Sequence, residues 1–222
     1  MEKKTIYTEV CYAFGVIALA IGTALMEAAN FGMSMVVAPA YLVYLKLSGI
    51  YSFITFGMAE YIFQALLLLV MILVLKKFKV YYLLAFGTTI LYGLLLDGSM
   101  RLVGLIAVDT IPIRAIFFLL GLLACSIGVA FLFHTYIPPE IYELFVKEIS
   151  QKYGWKIHKC KTCYDCISCC IAILLSFLFF GFGKFEGVKL GTIFNALVNG
   201  WLIGRWSGLL EGMFEFRNAF RK

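Results

Sequence analysis

Apolar residues run along the chain in long blocks, with polar residues confined mostly to the gaps between them. The blocks cover roughly 8–30, 33–47, 56–75, 80–97, 114–134, 163–182 and 188–205, and a shorter amphipathic stretch lies at 138–150. A helix needs about 20 residues to cross a hydrocarbon core of about 30 Å. Six blocks approach or reach that length, and 33–47 and 138–150 do not. Each short stretch lies beside a breaker: Gly32 and Pro39 in "FGMSMVVAPAYL", Pro138 and Pro139 in "YIPPEIYELF". Both are expected to be re-entrant or interfacial half-helices, which are tolerated only where protein or water satisfies the exposed backbone. The expected fold class is an all-α membrane protein with six transmembrane helices.

Composition supports that class, because 63% of the 222 residues are apolar and only 14% are charged. The N-terminal "MEKKTIYTEVCYAFGVIALAIGTAL" has the basic start of a signal peptide. Its apolar run is longer than usual and no small-residue cleavage site follows, so a retained first helix is expected. The net charge of +6 is assigned to topology, with no nucleic-acid partner. With six crossings and a cytoplasmic N-terminus, 14 of the 19 Lys and Arg fall on the inner side, Lys161 among them. If 33–47 also crossed, "KKFK" at 76–79 would lie outside, against the positive-inside tendency. Both termini are therefore expected inside.

The chain also resembles itself. "LAIGTALMEAANFG" (19–32) aligns with "CSIGVAFLFHTYIP" (125–138), and "GMAEYIFQALLLLV" (57–70) with "KTCYDCISCCIAIL" (161–174). "LAFGTTILYGLLLDG" (84–98) aligns with "GVKLGTIFNALVNGW" (187–201), at an offset that stays near 104–106. The expectation is one membrane domain of two units, about 8–98 and 112–206, followed by a cytoplasmic tail over 207–222. Each unit contains three crossings and a half-helix. An odd number of crossings forces the second unit to insert upside down. Inverted repeats with broken helices are the architecture of many secondary transporters, with the substrate held where the repeats meet.

"AANFGMSMVVAPAYLVYLKLS", "FGMAEYIFQ", "KTCYD" and "GVKLGTIFNALVNGWLIG" resemble the YitT/YczE-type family of bacterial integral membrane proteins, over nearly the whole chain. The resemblance implies a small multi-helix protein of the bacterial cytoplasmic (inner) membrane with a transporter-like organisation. It implies no substrate.

Ionisable residues within a bilayer are costly, so each one is a candidate for function. Glu60 and Asp165 occupy near-equivalent positions in the two units and are expected towards opposite mouths of a central cavity, as cation, amine or proton sites. The alternative is that each merely complements its helix dipole. Glu27 and His134 precede the two breaks and could relay protons, since imidazole titrates near neutral pH. A hydrogen bond from His134 to a loop carbonyl is the other reading. Glu140 and Glu143 open the second half-helix, where acids are common. Free N–H groups near Gly32 and Ser34 could hold a carboxylate. Asn30, Ser34, Thr88, Thr192, Asn195 and Asn199 would add neutral hydrogen bonds.

Gly200, Gly204, Gly208 and Gly212 recur every four residues, a spacing that lets helices approach closely. Packing within the protomer is expected, with a homodimer through Gly200, Gly204 and Gly208 as the alternative. The cysteines of "KCKTCYDCISCC" suggest an iron–sulfur or zinc site, yet Cys160, Cys163, Cys166 and Cys169 are three apart and no proline follows. On a helix they sweep around a drifting stripe and cannot enclose one cluster, so small buried thiols are expected, with no metal and no cofactor. The function expected is a secondary transporter of a small zwitterionic, amine or organic-ion solute, coupled to H+ or Na+. A passive facilitator and a redox or metal sensor using Cys160–Cys170 are the alternatives. No protease, hydrolase or P-loop motif is present, and no enzymatic activity is expected.

Overall fold

The computed structural model describes residues 3–183 and 186–219. Eight helices and one pair of short strands make up the described residues. Helix α1 (Thr8–Ala29) is followed by the short α2 (Ala38–Ser48), then α3 (Phe56–Leu75) and α4 (Tyr81–Val103). The order then repeats as α5 (Ile111–Phe133), short α6 (Ile141–Tyr153), α7 (Ile157–Phe180) and α8 (Leu190–Met213). Strand β1 (Lys4–Tyr7) precedes α1 and β2 (Phe214–Arg217) follows α8.

Local chemistry sets several ends. Asn30 stops α1 in the left-handed conformation (φ 55°), and Gly154 stops α6 in the same way (φ 68°). The Thr55 hydroxyl accepts from Met58 N at 3.2 Å and opens α3. Pro39 and Pro112 stand in the first turns of α2 and α5, where a missing N–H costs nothing. Gly32 carries the chain from α1 towards α2 at φ 122°, against Thr192 of α8, where a Cβ would meet Thr192 Oγ1 and its backbone N–H.

Helices α1, α3, α4, α5 and α7 are each long and apolar enough to cross a membrane. Their outer faces are apolar, with Leu73 at 74% and Leu178 at 77% exposure. The chain is thus a helical protein built for a bilayer. Helix α8 has crossing length but is not in that group. Asn195, Asn199, Arg205 and Glu211 along it dilute its apolar character.

Two glycine contacts define the centre. A Cβ on Gly15 would lie 2.9 Å from Gly128 O, and one on Gly22 would lie 2.8 Å from Gly121 O. As the position on α1 rises the position on α5 falls, so α1 and α5 run antiparallel with their backbones almost touching. Under the 106-residue offset Gly22 corresponds to Gly128, and Gly15 to Gly121, so each contact is the image of the other. The remaining pairings follow suit. Helix α4 flanks α1 as α8 flanks α5, α3 pairs with α4 as α7 pairs with α8, and α2 packs on α7 as α6 packs on α3. Each short helix thus lies against a long helix of the other half.

Several boundaries differ from the sequence expectation. Helix α7 starts at Ile157 rather than near 163, so Lys161 is helical and only 1% exposed instead of lying in an inner loop. Helix α8 continues to Met213, so much of the segment expected as a tail from 207 is helix; residues 220–222 of that tail lie outside the described residues. β1 and β2 pair in parallel, Lys4 with Phe214 and Tyr7 with Arg217, adding a small sheet to a fold expected to be all-α. Gly200 is covered by Thr162 and Gly204 by His158, both of α7. Of the three glycines considered for a dimer, only Gly208 is open.

Candidate functional site

The first turn of α6 gathers most of the buried charge. Pro138 and Pro139 end the approach from α5, and Glu140 and Glu143 lie one turn apart at the start of α6, 1% and 2% exposed. On one side stands α3, where Glu60 and Gln64 share a face at i, i+4 spacing. Gln64 Nε2 donates to Glu60 Oε2 (3.3 Å) and Glu140 Oε2 (2.9 Å). Its Oε1 accepts from Thr89 Oγ1 (2.7 Å) and from the backbone N–H of Ile141 (3.0 Å). All the hydrogen-bonding capacity of one amide is therefore used to join α3, α4 and α6.

On the other side stands α7. Lys161 Nζ lies 3.1 Å from Glu143 Oε1 and 3.2 Å from Asp165 Oδ1, with the Tyr164 ring centroid 5.6 Å away. Four carboxyl groups, Glu60, Glu140, Glu143 and Asp165, are thus buried around the start of α6 with one ammonium, which pairs with the last two. Isolated ions in such a place cost several kcal/mol each. Four acids against one lysine leave the site short of positive charge if every acid is ionised.

A small cavity opens beside it, about 20 Å³ in volume and lined by Ser34, Tyr92, Glu140, Glu143, Lys161 and Asn199 among others. That is room for one water-sized occupant. Glu140 Oε1 and Glu143 Oε2 are buried and have no hydrogen-bond partner among the described residues. Buried polar atoms are nearly always satisfied, so two unpartnered carboxyl oxygens beside a cavity leave room there for a hydrogen-bond donor such as water.

The residues singled out from the sequence fall into three groups. Glu60, Asp165, Glu140, Ser34 and Asn199 come together here. Glu60 and Asp165 join through α6 in one cluster, instead of facing opposite mouths. Asn195 is buried one turn before Asn199, its Nδ2 3.5 Å from Met26 Sδ. Thr88 and Thr192 brace the backbone: Thr88 bonds Tyr12 (2.8 Å) and Pro138 O (2.8 Å), and Thr192 Oγ1 accepts from Lys189 N (3.3 Å) at the start of α8.

Glu27 and Asn30 line a separate cavity of about 110 Å³ at the end of α1. Tyr41 donates to Glu27 (3.3 Å) and Lys189 to Asn30 Oδ1 (2.5 Å). His134 stacks on Phe216 with centroids 4.5 Å apart and lies 3.8 Å from Glu211. Burial lowers the pKa of its imidazole, against the pull of Glu211. Glu27 and His134 end two antiparallel helices, so they stand at opposite ends of the pair and form no direct relay.

The expected anion site before α2 is largely occupied. Met33 N donates to Gly187 O (3.2 Å), and Val37 N and Ala38 N donate to Ser34 O (3.1 and 2.9 Å). Ser168 of α7 donates to Met35 O (2.7 Å) just before α2, where Gln64 of α3 instead accepts from the Ile141 N–H at the start of α6. Both starts are thus braced by a side chain of a long helix, but only the second carries acids.

The cysteines lie on an unbroken helix, with Cys160 and Cys169 buried and Cys163 and Cys170 exposed. No set of three or more His, Cys, Asp or Glu among the described residues is arranged to hold a metal ion. Sequence reasoning missed Gln64 and placed Lys161 in a loop. The signal was there in two i, i+4 pairs, Glu60–Gln64 and Lys161–Asp165, each inside or at the edge of an apolar run.

Gln64 offers a direct check. Gln64→Leu leaves the Ile141 N–H, Glu60 and Glu140 short of partners, while Thr89 keeps Ala85 O, and it is expected to cost about 3 kcal/mol. Thr89→Val is expected to cost about 1 kcal/mol. Thermal unfolding of the two variants in one detergent should show that order.

Comparison with curated proteins and with solved structures finds no match. A family model matches residues 6–208, nearly the whole chain, including both short helices and every residue of the acidic cluster. The chain belongs to DUF6198, a family of unknown function.

Proposed function

We propose that this protein is a secondary transporter of a small cationic or zwitterionic solute, coupled to H+ or Na+, with its site at the start of α6. The observation that carries the reading is four buried carboxyl groups around the start of α6, only two of them paired with Lys161, beside a cavity with two unpartnered carboxylate oxygens. Such a site is unstable with every acid ionised and empty, and it relaxes when a cation or protons enter. Exchange between those occupants is what coupling requires.

The architecture supports the same reading. Antiparallel α1 and α5, with glycine contacts that map onto each other, are what two inverted three-crossing repeats would place at their axis. The parallel pairing of β1 with β2 supports an even number of crossings, since it brings the two ends of the described chain together. The five apolar helices plus α8 make six. The excess of Lys and Arg at that end then favours the cytoplasm, with or without Lys161. A bacterial cytoplasmic membrane and the likeness to the YitT/YczE-type family belong with this proposal.

The test uses purified protein in thermal-shift assays against amines, amino acids, Na+ and K+ at two pH values. A hit is then followed in proteoliposomes containing a pH-sensitive dye. A solute that stabilises the wild type, moves protons or Na+ across the vesicle membrane, and does neither in Glu140→Gln is the expected result. Solute flux that is equal in wild type and Glu140→Gln, and independent of any ion gradient, would replace the coupled transporter with a passive facilitator.

A further inference from the structure

A second site lies at the far end of α6. A groove of about 250 Å³ separates the α3–α4 connection from the end of α6, and Lys77, Lys79, Tyr82, Glu148, Gln151 and Lys152 line it. Its three lysines outnumber its one acid. Glu148 is already engaged, by Lys79 (2.7 Å) and by the Tyr82 hydroxyl (2.9 Å). Lys152 donates to Val74 O (3.2 Å) and ties the end of α6 to the end of α3. Lys77 is exposed and has no hydrogen bond or ion pair among the described residues. The groove therefore keeps an unspent positive charge.

Its setting indicates what neutralises that charge. The groove sits where apolar α3 ends, at the level at which a membrane-crossing helix meets water. Tyr153 and Trp155 are exposed beside it, 51% and 57%, with their rings 5.5 Å apart. Exposed tyrosine and tryptophan mark the headgroup level. Just away from the lysines, Leu73, Val80, Leu83 and Leu84 present an exposed apolar wall. A ligand that fits all three features has a phosphate for the lysines, polar atoms for the aromatic belt and acyl chains for the wall.

We propose that this groove binds the phosphate of an anionic phospholipid. The ligand chemistry is a phosphodiester, and the adjoining apolar wall assigns its source to the lipid rather than to soluble phosphate. Binding would also reach the acidic cluster, because Glu148 and Glu143 are carried by the same short helix. A phosphate competing with Glu148 for Lys79 loosens the ion pair between the end of α6 and the approach to α4. This proposal does not depend on the transporter reading, since it is measured without any transported solute.

The experiment is native mass spectrometry of the purified full-length protein released from mixed phosphatidylglycerol and phosphatidylcholine micelles. Wild type is compared with the Lys77→Gln/Lys79→Gln/Lys152→Gln variant. A variant with the same charge loss elsewhere, Lys3→Gln/Lys4→Gln/Arg217→Gln, serves as control. Wild type and control are expected to retain phosphatidylglycerol in preference to phosphatidylcholine. The groove variant is expected to retain it about a hundredfold less well, from about fivefold per lysine near a membrane surface. Lys77→Gln alone touches nothing that holds the fold and should show about fivefold loss. Undiminished retention in both groove variants, or equal loss in the control, would overturn the site. Displacement of bound phosphatidylglycerol by millimolar inorganic phosphate would overturn the assignment to lipid.

Discussion

Lys161→Met is expected to destabilise the protein by about 3–5 kcal/mol, the cost of breaking a buried ion pair by removing one partner. The ammonium is only 1% exposed and is held by Glu143 at 3.1 Å and Asp165 at 3.2 Å. Without it, Glu143 and Asp165 lose their partner beside the buried Glu60 and Glu140. Lys161→Met combined with Glu143→Gln and Asp165→Asn removes the ammonium together with its two ion-pair partners, and it should recover most of the loss, because a neutral replacement of similar volume is often as stable as the ion pair. Thermal unfolding of the wild type, the single variant and the triple variant checks this. A single variant that melts within a degree of wild type would mean that Lys161 reaches water and that the cluster is not sealed. The triple variant should also lose any response to the solute found by the thermal-shift panel, which separates a stability role from a binding role.

Gly22→Val and Gly121→Val are expected to be the most damaging apolar substitutions, at about 3 kcal/mol or more each. A Cβ at Gly22 would come within 2.8 Å of Cys125 N and Gly121 O, and one at Gly121 within 2.7 Å of Gly22 O. These neighbours are backbone atoms of the facing helix, so relief requires α1 and α5 to move apart along their whole contact. Gly208→Ala and Gly212→Ala make the contrast, because an added Cβ at either position meets nothing within 4 Å. Each should stabilise α8 by about 0.5–1 kcal/mol through helix propensity. A melting series in which all four substitutions behave alike would show that the α1–α5 contact is looser than the backbone geometry describes.

Much of the fold was legible because hydrophobic blocks and breakers are local features. The two short segments beside Gly32 and Pro138–Pro139 could be told from crossing helices by length alone, and they became α2 and α6. The internal similarity foretold the order of elements, since a repeated hydropathy pattern repeats the helices that it specifies. Helix ends were less legible. Nothing in "KIHKCKTCYD" separates a cytoplasmic loop from the exposed first turn of a helix, so Lys161 was counted among loop charges. The pairing of β1 with β2 could not be foreseen either, because its partners lie at opposite ends of the chain.

The site was legible as residue types and not as a constellation. Glu60, Asp165 and Glu140 were candidates for the cost of ionisable groups in an apolar setting, and Asn199 as a neutral hydrogen-bonding group. Which of them meet is a question of helix exchange: α6 packs on α3 and on α7, and so brings acids from both halves together. The same exchange left Glu27 and His134 at opposite ends of an antiparallel pair. By itself the sequence determined a multi-helix chain for a bilayer, with two similar halves and a short list of costly polar residues, because these follow from local hydropathy and composition. Only the tertiary structure decided that four carboxyl groups gather with one lysine around the start of α6 beside a cavity, because the meeting of Gln64 with Glu140, 76 positions apart, is set by packing and not by any pattern along the chain.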